Sequence, residues 1–379
     1  MMAWLFWVSV AVPLYAFVVY PLLVALLARC APVKTRMSND VRPSISIVIA
    51  AHNEEEHITD KLRTLRAQSY PRELVEVIVA SDGSTDATVQ RVLAMGDDGV
   101  EVLDLPRQGK AGVLNAAARI ARGDVLVFTD ADNRWQRTTL ERLVEPFADP
   151  AIGAVGGHIE IADRGRSLGF GDRIYRRFES WLRDNESRAG CLVSIDGAIL
   201  AIRRGLFETV PADVTDDFFI STAAPANGLR IGYAAGAVVE DRGLDGRGKQ
   251  FRRRVRVTIR GLRSLSVRRR LMNPLRFGRY ALALISHKLL RRLAPLFLLP
   301  LLVSSLALYG TGALYTWAAL AQLGGYTIAL AGIADTRRRL PRAFHLAGYG
   351  LLAVSGLAWG VVKFLSGTRL QRWTPADNR

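Results

Sequence analysis

Two carboxylates separated by one residue follow an apolar run near the middle of the chain. Residues 125–128 are all apolar, and Asp130 and Asp132 come shortly after them. Because side chains two apart in a strand point to the same side, both carboxylates can leave the strand end together. Such a pair is a set of hard oxygen ligands for Mg²⁺ or Mn²⁺, with positions left open for a diphosphate. The alternative is a solvated turn, where Asp and Asn are common.

Two earlier apolar runs also end in polar residues. Residues 45–51 are followed by Asn53 and Glu54 at an acidic helix start, and residues 75–80 lead into a turn that contains Asp82. Strands that alternate with helix signals predict βαβ units and a parallel sheet. Ligands bind at the carboxyl ends of the strands in such a sheet. Asn53 and Glu54 can equally well shape the strand end.

A lysine flanked by glycines lies between these runs and the Asp pair. Lys110 stands between Gly109 and Gly112 at a predicted helix start, where an ordinary solvated lysine is the alternative to a binding residue. A dinucleotide-binding domain has G-x-G-x-x-G after its first strand, whereas that turn here is acidic and lacks glycine. The sequence therefore predicts a Rossmann-like sheet without dinucleotide binding.

The order and spacing of these motifs resemble those of the family 2 glycosyltransferases. The matching elements are the Asn-Glu pair, a D-G-S-T-D turn, a G-K-x-x-x-L-N helix and the D-x-D pair; later, Asp196 and Gly197 match a D-G-A strand, and Asp216 and Asp217 match an acidic pair. The resemblance covers residues 44–262 and the membrane layout. It implies an α/β GT-A domain with a mostly parallel sheet, combined with transmembrane helices, in the cellulose and hyaluronan synthase-like branch.

The resemblance also implies roles for individual residues. The donor is a nucleotide sugar, expected to be a UDP-sugar, and Asp130 and Asp132 place Mg²⁺ or Mn²⁺ and the diphosphate. Asp217 is the general base that takes the proton of the acceptor hydroxyl, while Asp216 is expected to support the loop. The residues expected to bind the donor are Asn53, Glu54, Asp82, Lys110 and Asp130.

The acceptor side is predicted from the second half of the domain. A strand ending at 214–216 is expected to deliver Asp217 to this side. Processive members carry Q-x-x-R-W, but the nearest match, at 250–254, has no tryptophan, which argues against processive synthesis without excluding it. The residues expected on the acceptor side are Asp196, Gly197, Asp216, Gln250, Arg253 and Arg254.

The charge of the chain is concentrated in one segment. The 379-residue sequence has a formal net charge of +16, and residues 247–292 contain sixteen Lys and Arg with no Asp or Glu. Outside this segment, basic and acidic residues balance. Such a local excess favours anionic membrane lipids as partners and argues against nucleic acid, for which we expect basic faces distributed over the fold.

Several segments are apolar enough to lie in a membrane. Residues 1–28 and 293–334 carry no charged side chain, enough for one and two spans respectively; a signal peptide is the alternative for the first. A third C-terminal span is expected from Phe344 to Leu365. Residues 275–290 predict an amphipathic helix in the headgroup plane. A stripe of Phe170, Ile174, Phe178 and Trp181 either faces the membrane or packs on the domain core.

Basic residues predict the orientation of these segments. Arg29, Lys34 and Arg36 follow the first span, so the positive-inside rule places the domain in the cytoplasm, and the loop 337–342 on the same side. Three later spans would leave the basic C-terminus outside, unless one segment is re-entrant or interfacial. The expected units are a transmembrane helix (1–28), a cytoplasmic GT-A domain (43–262), an interface segment (263–292), three transmembrane helices (293–366) and a tail (367–379).

These observations predict an inverting glycosyltransferase of the cell membrane. It would move a sugar from a nucleotide-diphosphate sugar to a lipid-linked or glycan acceptor, in cell-envelope or extracellular polysaccharide synthesis. One alternative is a processive synthase that also exports its polymer. Another, from a different class, is a non-catalytic membrane scaffold, which Mn²⁺-dependent nucleotide hydrolysis would exclude.

Overall fold

Apolar, β-branched runs build one mixed sheet at the centre of the computed structural model. The structure describes residues 1–38, 40–96, 99–161, 168–241, 247–337, 339–368 and 370. Within these residues the sheet has eight strands: β1 (Ile45–Ala51), β2 (Val75–Asp82), β3 (Val100–Leu105), β4 (Val125–Asp130), β5 (Arg134–Trp135), β6 (Ile152–Ile161), β7 (Leu200–Arg203) and β8 (Arg230–Asp241).

The strand order brings the predicted motifs to one edge of the sheet. The order is β3-β2-β1-β4-β7-β6-β8-β5. Strands β3, β2, β1 and β4 are parallel, β7 is antiparallel to both of its neighbours, and β6 pairs with β8 in parallel. Ala50 lies opposite Asp130, and Ala51 lies opposite Ser81. The loops that follow β1, β2 and β4 therefore meet at the carboxyl edge, as expected for a parallel sheet.

Both faces of the sheet are buried, because side chains alternate between two apolar layers. Ile47 and Val127 belong to one layer, and Val48 and Phe128 belong to the other; each is at most 4% exposed. Helices and short turns cover the two faces. The α-helices of the domain are α1 (Ile58–Arg66), α2 (Thr88–Leu93), α3 (Lys110–Ile120), α4 (Thr139–Val144), α5 (Leu168–Arg188), α6 (Asp216–Ser221), α7 (Ala223–Ala226) and α8 (Arg247–Val267).

Four further helices are long and apolar enough to cross a membrane. We name them M1 to M4 in chain order. A helix rises 1.5 Å per residue, so about 20 residues cross the hydrocarbon layer. This agrees with the predicted one N-terminal and three C-terminal apolar helices. Their bounds are M1 (Met2–Cys30), M2 (Pro274–Ala307), M3 (Ala313–Ala334) and M4 (Arg342–Leu365).

The predicted amphipathic segment is the start of M2 rather than a separate helix. Residues 274–283 are α-helical except for a kink at Gly278, where φ is 49°; residues 284–290 form π-helical turns, and the helix then continues to Ala307. Its 34 residues are more than the about 20 that cross the hydrocarbon layer. The helix α8 likewise runs across the predicted domain boundary at residue 262.

The apolar stripe of α5 is partly exposed and partly packed against the membrane helices. Ile174 and Trp181 are 51% and 42% exposed, whereas Phe178 packs into a cluster with M1 and M2. The side chain of Phe170 lies outside the described part of the structure. In the same cluster the Tyr20 hydroxyl of M1 donates a 2.5 Å hydrogen bond to Glu186 of α5. The α/β domain is therefore packed directly on the apolar helices.

M4 packs lengthwise against α8 through two glycines. A Cβ at Gly356 would lie 2.9 Å from the Cβ of Arg254, and a Cβ at Gly360 would lie 2.6 Å from the Cβ of Thr258. Both distances are too short for real side chains, so only glycine allows this approach. The two helices run in the same direction. The last apolar helix is thus joined to the domain as well as to M3.

Candidate functional site

The loop after β1 is fixed to the loop after β2 by Asn53 and Glu54. Asn53 has a φ of 55°, a left-handed conformation that Asn tolerates better than most residues. Its side-chain oxygen accepts a 2.8 Å hydrogen bond from the Thr85 amide, and its own amide donates to the Ser84 hydroxyl. The Glu54 amide donates to the Thr88 hydroxyl at 2.8 Å. Both residues therefore hold the two loops together, and their contact with the donor stays a prediction.

Asp82 is almost completely buried at the end of β2. Its Oδ1 accepts hydrogen bonds from the amides of Gln108 and Gly109, at 2.7 and 2.9 Å. Its Oδ2 is buried and has no hydrogen-bond partner in the described part of the chain. Buried polar atoms are rarely left unpaired, so a ligand that donates an N–H or O–H would satisfy this oxygen.

Lys110 joins the carboxylate of β4 to that of α6. Its Nζ lies 2.9 Å from Asp130 Oδ1 and 3.1 Å from Asp216 Oδ2. Burial alone would lower the pKa of Lys110, but the two carboxylates outweigh burial and raise the pKa above its ordinary value. The ammonium therefore stays charged and links the predicted donor and acceptor sides.

Asp132 follows β4 and lies near several other carboxylates. Loss of hydration, followed by repulsion from Asp130, Asp241 and Glu54, raises its pKa to about 6. A divalent cation relieves such repulsion, and carboxylate oxygens are its preferred ligands. Among the described residues, no group of three His, Cys, Asp or Glu forms a complete metal cage. The donor set that fits a metal is therefore the open pair of Asp130 and Asp132.

A buried lysine behind the D-x-D pair was missed in the sequence. Lys61 of α1 is fully buried, and its Nζ donates to Thr129 Oγ1 at 2.8 Å and to Asn133 Oδ1 at 2.5 Å. Burial holds its pKa well below the ordinary value, although Asp130 and Asp132 oppose this effect. The signal was present, because Lys61 occupies an inward position of an amphipathic helix, next to the buried Leu62.

Asp217 lies in the first turn of α6, beside the Lys110 ion pair. Its Oδ1 accepts a 2.6 Å hydrogen bond from the Phe218 amide. Burial, and then the charges of Asp216 and Asp196, raise its pKa to about 7. A carboxylate with this pKa can accept a proton near neutral pH.

The predicted strand before Asp217 is wrong. A turn at 212–213 leads into α6, which begins at Asp216. Acidic side chains favour the first turn of a helix because they interact with its partial positive charge, and Thr215 and Asp216 are typical of a helix start. The carboxylate is still delivered to the site, but by a helix.

Asp196 and Gly197 lie directly beside Asp217. They precede β7 and are not in a strand, contrary to the prediction; the carbonyl of Ala198 instead accepts hydrogen bonds from Thr129 and Asn133. A Cβ at Gly197 would lie 3.5 Å from the Cβ of Asp217 and 3.9 Å from Lys110 Nζ. These two residues therefore lie in one cluster with Asp217 and Lys110.

The carboxylate of Asp196 is paired with Arg183 of α5, at 2.7 Å. Burial would raise its pKa, but Arg183 outweighs burial and lowers it. Arg183 was not identified in the sequence. Asp196 therefore remains ionised, and it is Asp217 that carries the raised pKa.

The remaining acceptor-side candidates lie on α8. Arg254 places its guanidinium 5.4 Å from the ring centre of Tyr175, and Arg253 is exposed. The side chain of Gln250 lies outside the described part of the structure. The contact between Arg254 and Tyr175 joins α8 to α5 near the membrane helices.

Comparison with known proteins identifies the domain. Residues 46–210 match the family described as glycosyl transferase family 2. The chain contains a family 2 glycosyltransferase domain. The predicted family is therefore confirmed on the strands and loops that carry Asp82, Lys110 and the D-x-D pair.

The GT-A fold is confirmed by a solved structure. A mannosyltransferase of Pyrobaculum calidifontis, solved with GDP-Man and Mn²⁺, matches with a TM-score of 0.73 and 25% identity. The match covers 96% of this chain and 99% of that one. The likeness therefore extends beyond the sheet to the apolar helices.

Curated relatives match over shorter stretches. A poly-beta-1,6-N-acetyl-D-glucosamine synthase of Staphylococcus aureus is 27% identical over 210 residues, which cover 53% of this chain and 50% of the relative. Glycosyltransferase AglE of Haloferax volcanii is 31% identical over 122 residues, which cover 31% of this chain and 40% of the relative. The chain thus spans half or less of the length of these relatives.

Proposed function

We propose that the protein transfers a sugar from a nucleotide-diphosphate sugar to an acceptor at the membrane, with inversion at the anomeric carbon. The observation that carries this proposal is the arrangement of the carboxylates around Lys110. The D-x-D pair lies on one side of the ammonium, and Asp217, with a pKa of about 7, lies on the other. One side suits a diphosphate, and the other suits a hydroxyl.

The donor side is assigned to Asp82, Asp130 and Asp132. The unpaired buried oxygen of Asp82 suits an N–H or O–H of the nucleoside. Asp130 and Asp132 would hold a divalent cation, which in its bound form neutralises charge on a leaving diphosphate. The mannosyltransferase relative was solved with Mn²⁺, which supports a divalent cation here. The resemblance leads us to expect UDP as the nucleotide, and a comparison of UDP- and GDP-sugars as donors in a transfer assay tests this.

The acceptor side is assigned to Asp217. In the proposed step an acceptor oxygen forms a bond to the anomeric carbon while the bond from that carbon to the diphosphate oxygen breaks. The hydroxyl proton passes to Asp217. Because attack and departure take place on opposite faces of the sugar, a single displacement inverts the configuration. Asp216 is occupied by Lys110, so its role is to position the helix start.

We place the domain on the cytoplasmic side of the cell membrane. The basic loop that contains Thr336 and Arg337 is exposed, and both α8 and the start of M2 are rich in arginine without any acidic residue. These residues suit the anionic lipids of the cytoplasmic leaflet, and they give no reason to expect nucleic acid as a partner. The C-terminus lies on the opposite side from residues 336–337 if M4 crosses the membrane, and on the same side if M4 is re-entrant or interfacial.

A second candidate is processive polysaccharide synthesis. The Staphylococcus aureus relative is named a synthase of a polymer, which favours this activity. The chain has Arg254 where the Q-x-x-R-W motif has its tryptophan, directly after Arg253. This argues for single transfer, since an aromatic ring is the natural platform for a sugar face. Product length distinguishes the two activities.

The test uses the full chain purified in detergent. Nucleotide sugars are supplied with Mn²⁺ and a membrane lipid extract, and products are measured by mass spectrometry. Transfer should require the metal and should be lost in Asp132→Asn. The matched control is Asp124→Asn, which removes a carboxylate from the opposite end of β4. No metal-dependent binding, hydrolysis or transfer of any nucleotide sugar would leave the scaffold as the better interpretation.

A further inference from the structure

Residues 287–292 of M2 carry four basic side chains, which form two pairs four residues apart that face different surroundings. His287 and Arg291 point into a buried cluster of carboxylates. His287 lies 2.7 Å from Glu186, and Arg291 lies 2.6 Å from Glu179. All four of these residues are at most 8% exposed. These two basic side chains are fully accounted for by the joint between α5 and M2.

Lys288 and Arg292 form the second pair and lack such partners. Neither makes an ion pair with a carboxylate among the described residues, although both side chains are partly buried. Side chains four residues apart on a helix are neighbours, and the charge of Arg292 acts on Lys288, so the two cations form one patch. Carboxylates act on these two cations only from beyond ion-pair distance, whereas partly buried cations normally have a counter-charge in direct contact. The patch is therefore suited to an anion.

The patch faces the acceptor side of the site. The guanidinium of Arg292 lies over Gly261 of α8, 2.6 Å from where a Cβ would stand. One turn further along α8, the Ser264 hydroxyl accepts a 2.8 Å hydrogen bond from the amide of Thr215, two residues before Asp217. The charge of Arg292 interacts with Asp217, and that of Lys288 interacts with Asp196.

The patch also lies at the boundary of the apolar region. Arg292 is the last charged residue before the uncharged stretch 293–334. The flanking helices expose apolar side chains, with Val257 of α8 at 40% and Ile174 of α5 at 51% exposure. A ligand bound here can hold an anionic group on the cations while its apolar part lies among these helices.

The chemistry of the two cations selects the anionic group. A guanidinium is a fork of N–H donors that matches phosphate oxygens, and an ammonium adds a point charge. The donor diphosphate is assigned to the other side of Lys110, beside Asp130 and Asp132. A phosphate on Lys288 and Arg292 is therefore a different one and belongs to the acceptor.

We propose that Lys288 and Arg292 bind the headgroup phosphate of a lipid acceptor and hold a headgroup hydroxyl beside Asp217. This inference rests on the proposed transferase function and names its acceptor class, a phospholipid or a lipid-linked phosphate that carries a free hydroxyl. The lipid chain lies along the exposed apolar side chains of α5 and α8. The two cations act by binding and positioning, and the proton transfer remains with Asp217.

The test compares two double variants of the full chain in detergent. The first is Lys288→Gln with Arg292→Gln. The control is Arg276→Gln with Arg279→Gln, which removes the same charge from the same helix at two exposed positions. The probes are short-chain phosphatidylglycerol, inorganic phosphate and short-chain diacylglycerol, titrated by calorimetry.

The parent protein should bind the short-chain phosphatidylglycerol more tightly than either other probe. The first double variant should weaken this binding about tenfold or more, and the control should stay within about twofold. Nucleotide diphosphate binding with Mn²⁺ should be equal in all three proteins, which shows that they are folded and separates this inference from the donor assignment. If both double variants lose phosphatidylglycerol affinity equally, binding depends only on the net charge of the helix, and the proposed site is refuted.

Two further outcomes would also overturn the inference. If inorganic phosphate binds as tightly as the phospholipid, the patch is not a lipid site. If the first double variant binds phosphatidylglycerol like the parent, the phosphate lies elsewhere. The single variants Lys288→Gln and Arg292→Gln should each give part of the loss, which protects the test against misfolding of the double variant.

Discussion

The raised pKa of Asp217 predicts the pH dependence of transfer. A general base acts only when it is deprotonated, and Asp217 has a pKa of about 7. At pH 7 about half of the molecules carry the active carboxylate, at pH 6 about one-tenth, and at pH 5 about one-hundredth. The transfer rate should therefore rise about tenfold per pH unit up to pH 6 and level off above pH 8.

Replacing this carboxylate should lower the transfer rate and abolish the rise of the rate with pH on the acidic side of the profile. Asp217→Asn keeps the size of the side chain and most of its hydrogen bonding but cannot accept the proton. General-base loss costs about 10² to 10⁴ in rate. The small remaining rate should no longer vary with pH between 5 and 8. Donor affinity should barely change, because Asp130 and Asp132 lie on the other side of Lys110.

The neighbouring carboxylate provides a matched control. Asp216 raises the pKa of Asp217 by its charge, so Asp216→Asn should keep substantial activity and move the acidic limb to lower pH. The assay is a paired measurement of transfer rate and nucleotide-sugar affinity from pH 5 to pH 9. If Asp217→Asn transfers at near the parent rate, or if Asp216→Asn is the inactive variant, the base has been assigned to the wrong residue.

Three other predictions concern the metal, the joint to the membrane helices and the orientation. Asp132→Ala should abolish Mn²⁺-dependent binding of a nucleotide diphosphate in calorimetry while the protein still inserts and folds; unchanged affinity would refute the metal assignment. Glu179→Gln should leave the buried Arg291 without its partner and lower the free energy of unfolding by about 3–5 kcal/mol, measured as a lower Tm, and an unchanged Tm would contradict this. A Cys at the exposed position Thr336 should react with an impermeant maleimide only after cells are opened, and labelling of intact cells would reverse the proposed orientation.

Much of the fold was predictable because its strands are unusually clear. The run 45–51 was predicted as a strand and has those bounds, and the apolar run before Asp130 ends where the carboxylates begin. Both strands are buried on two faces, so each appears in the sequence as a nearly continuous apolar run, which is typical of a central strand in a parallel sheet. The four apolar helices were predictable for a similar reason, since uncharged stretches of that length are rare in other settings.

The contacts between distant residues were not predictable. Lys110 was a plausible binding residue, but its ion pairs with both Asp130 and Asp216 depend on β4 and α6 meeting at one point. Arg183 looked like an ordinary residue of an amphipathic helix until the fold placed it on Asp196. A single sequence records the pattern along each element, and it does not record which elements are neighbours.

The start of α6 illustrates a local error of another kind. Val214 and Thr215 are β-branched and suggested a strand, whereas the consecutive carboxylates that follow favour the first turn of a helix. The two local preferences conflict. The helix start prevailed, and it is also what allows the Phe218 amide to bind Asp217.

The two glycines of M4 that contact α8 already allow the smallest distance between these two helices. Gly356 and Gly360 have no side chain to lose, and a Cβ at either position would already overlap Arg254 or Thr258. Any single substitution at these two positions can therefore only push the last apolar helix away from the domain. A single substitution at either glycine can therefore increase the distance between M4 and α8, and none can decrease it.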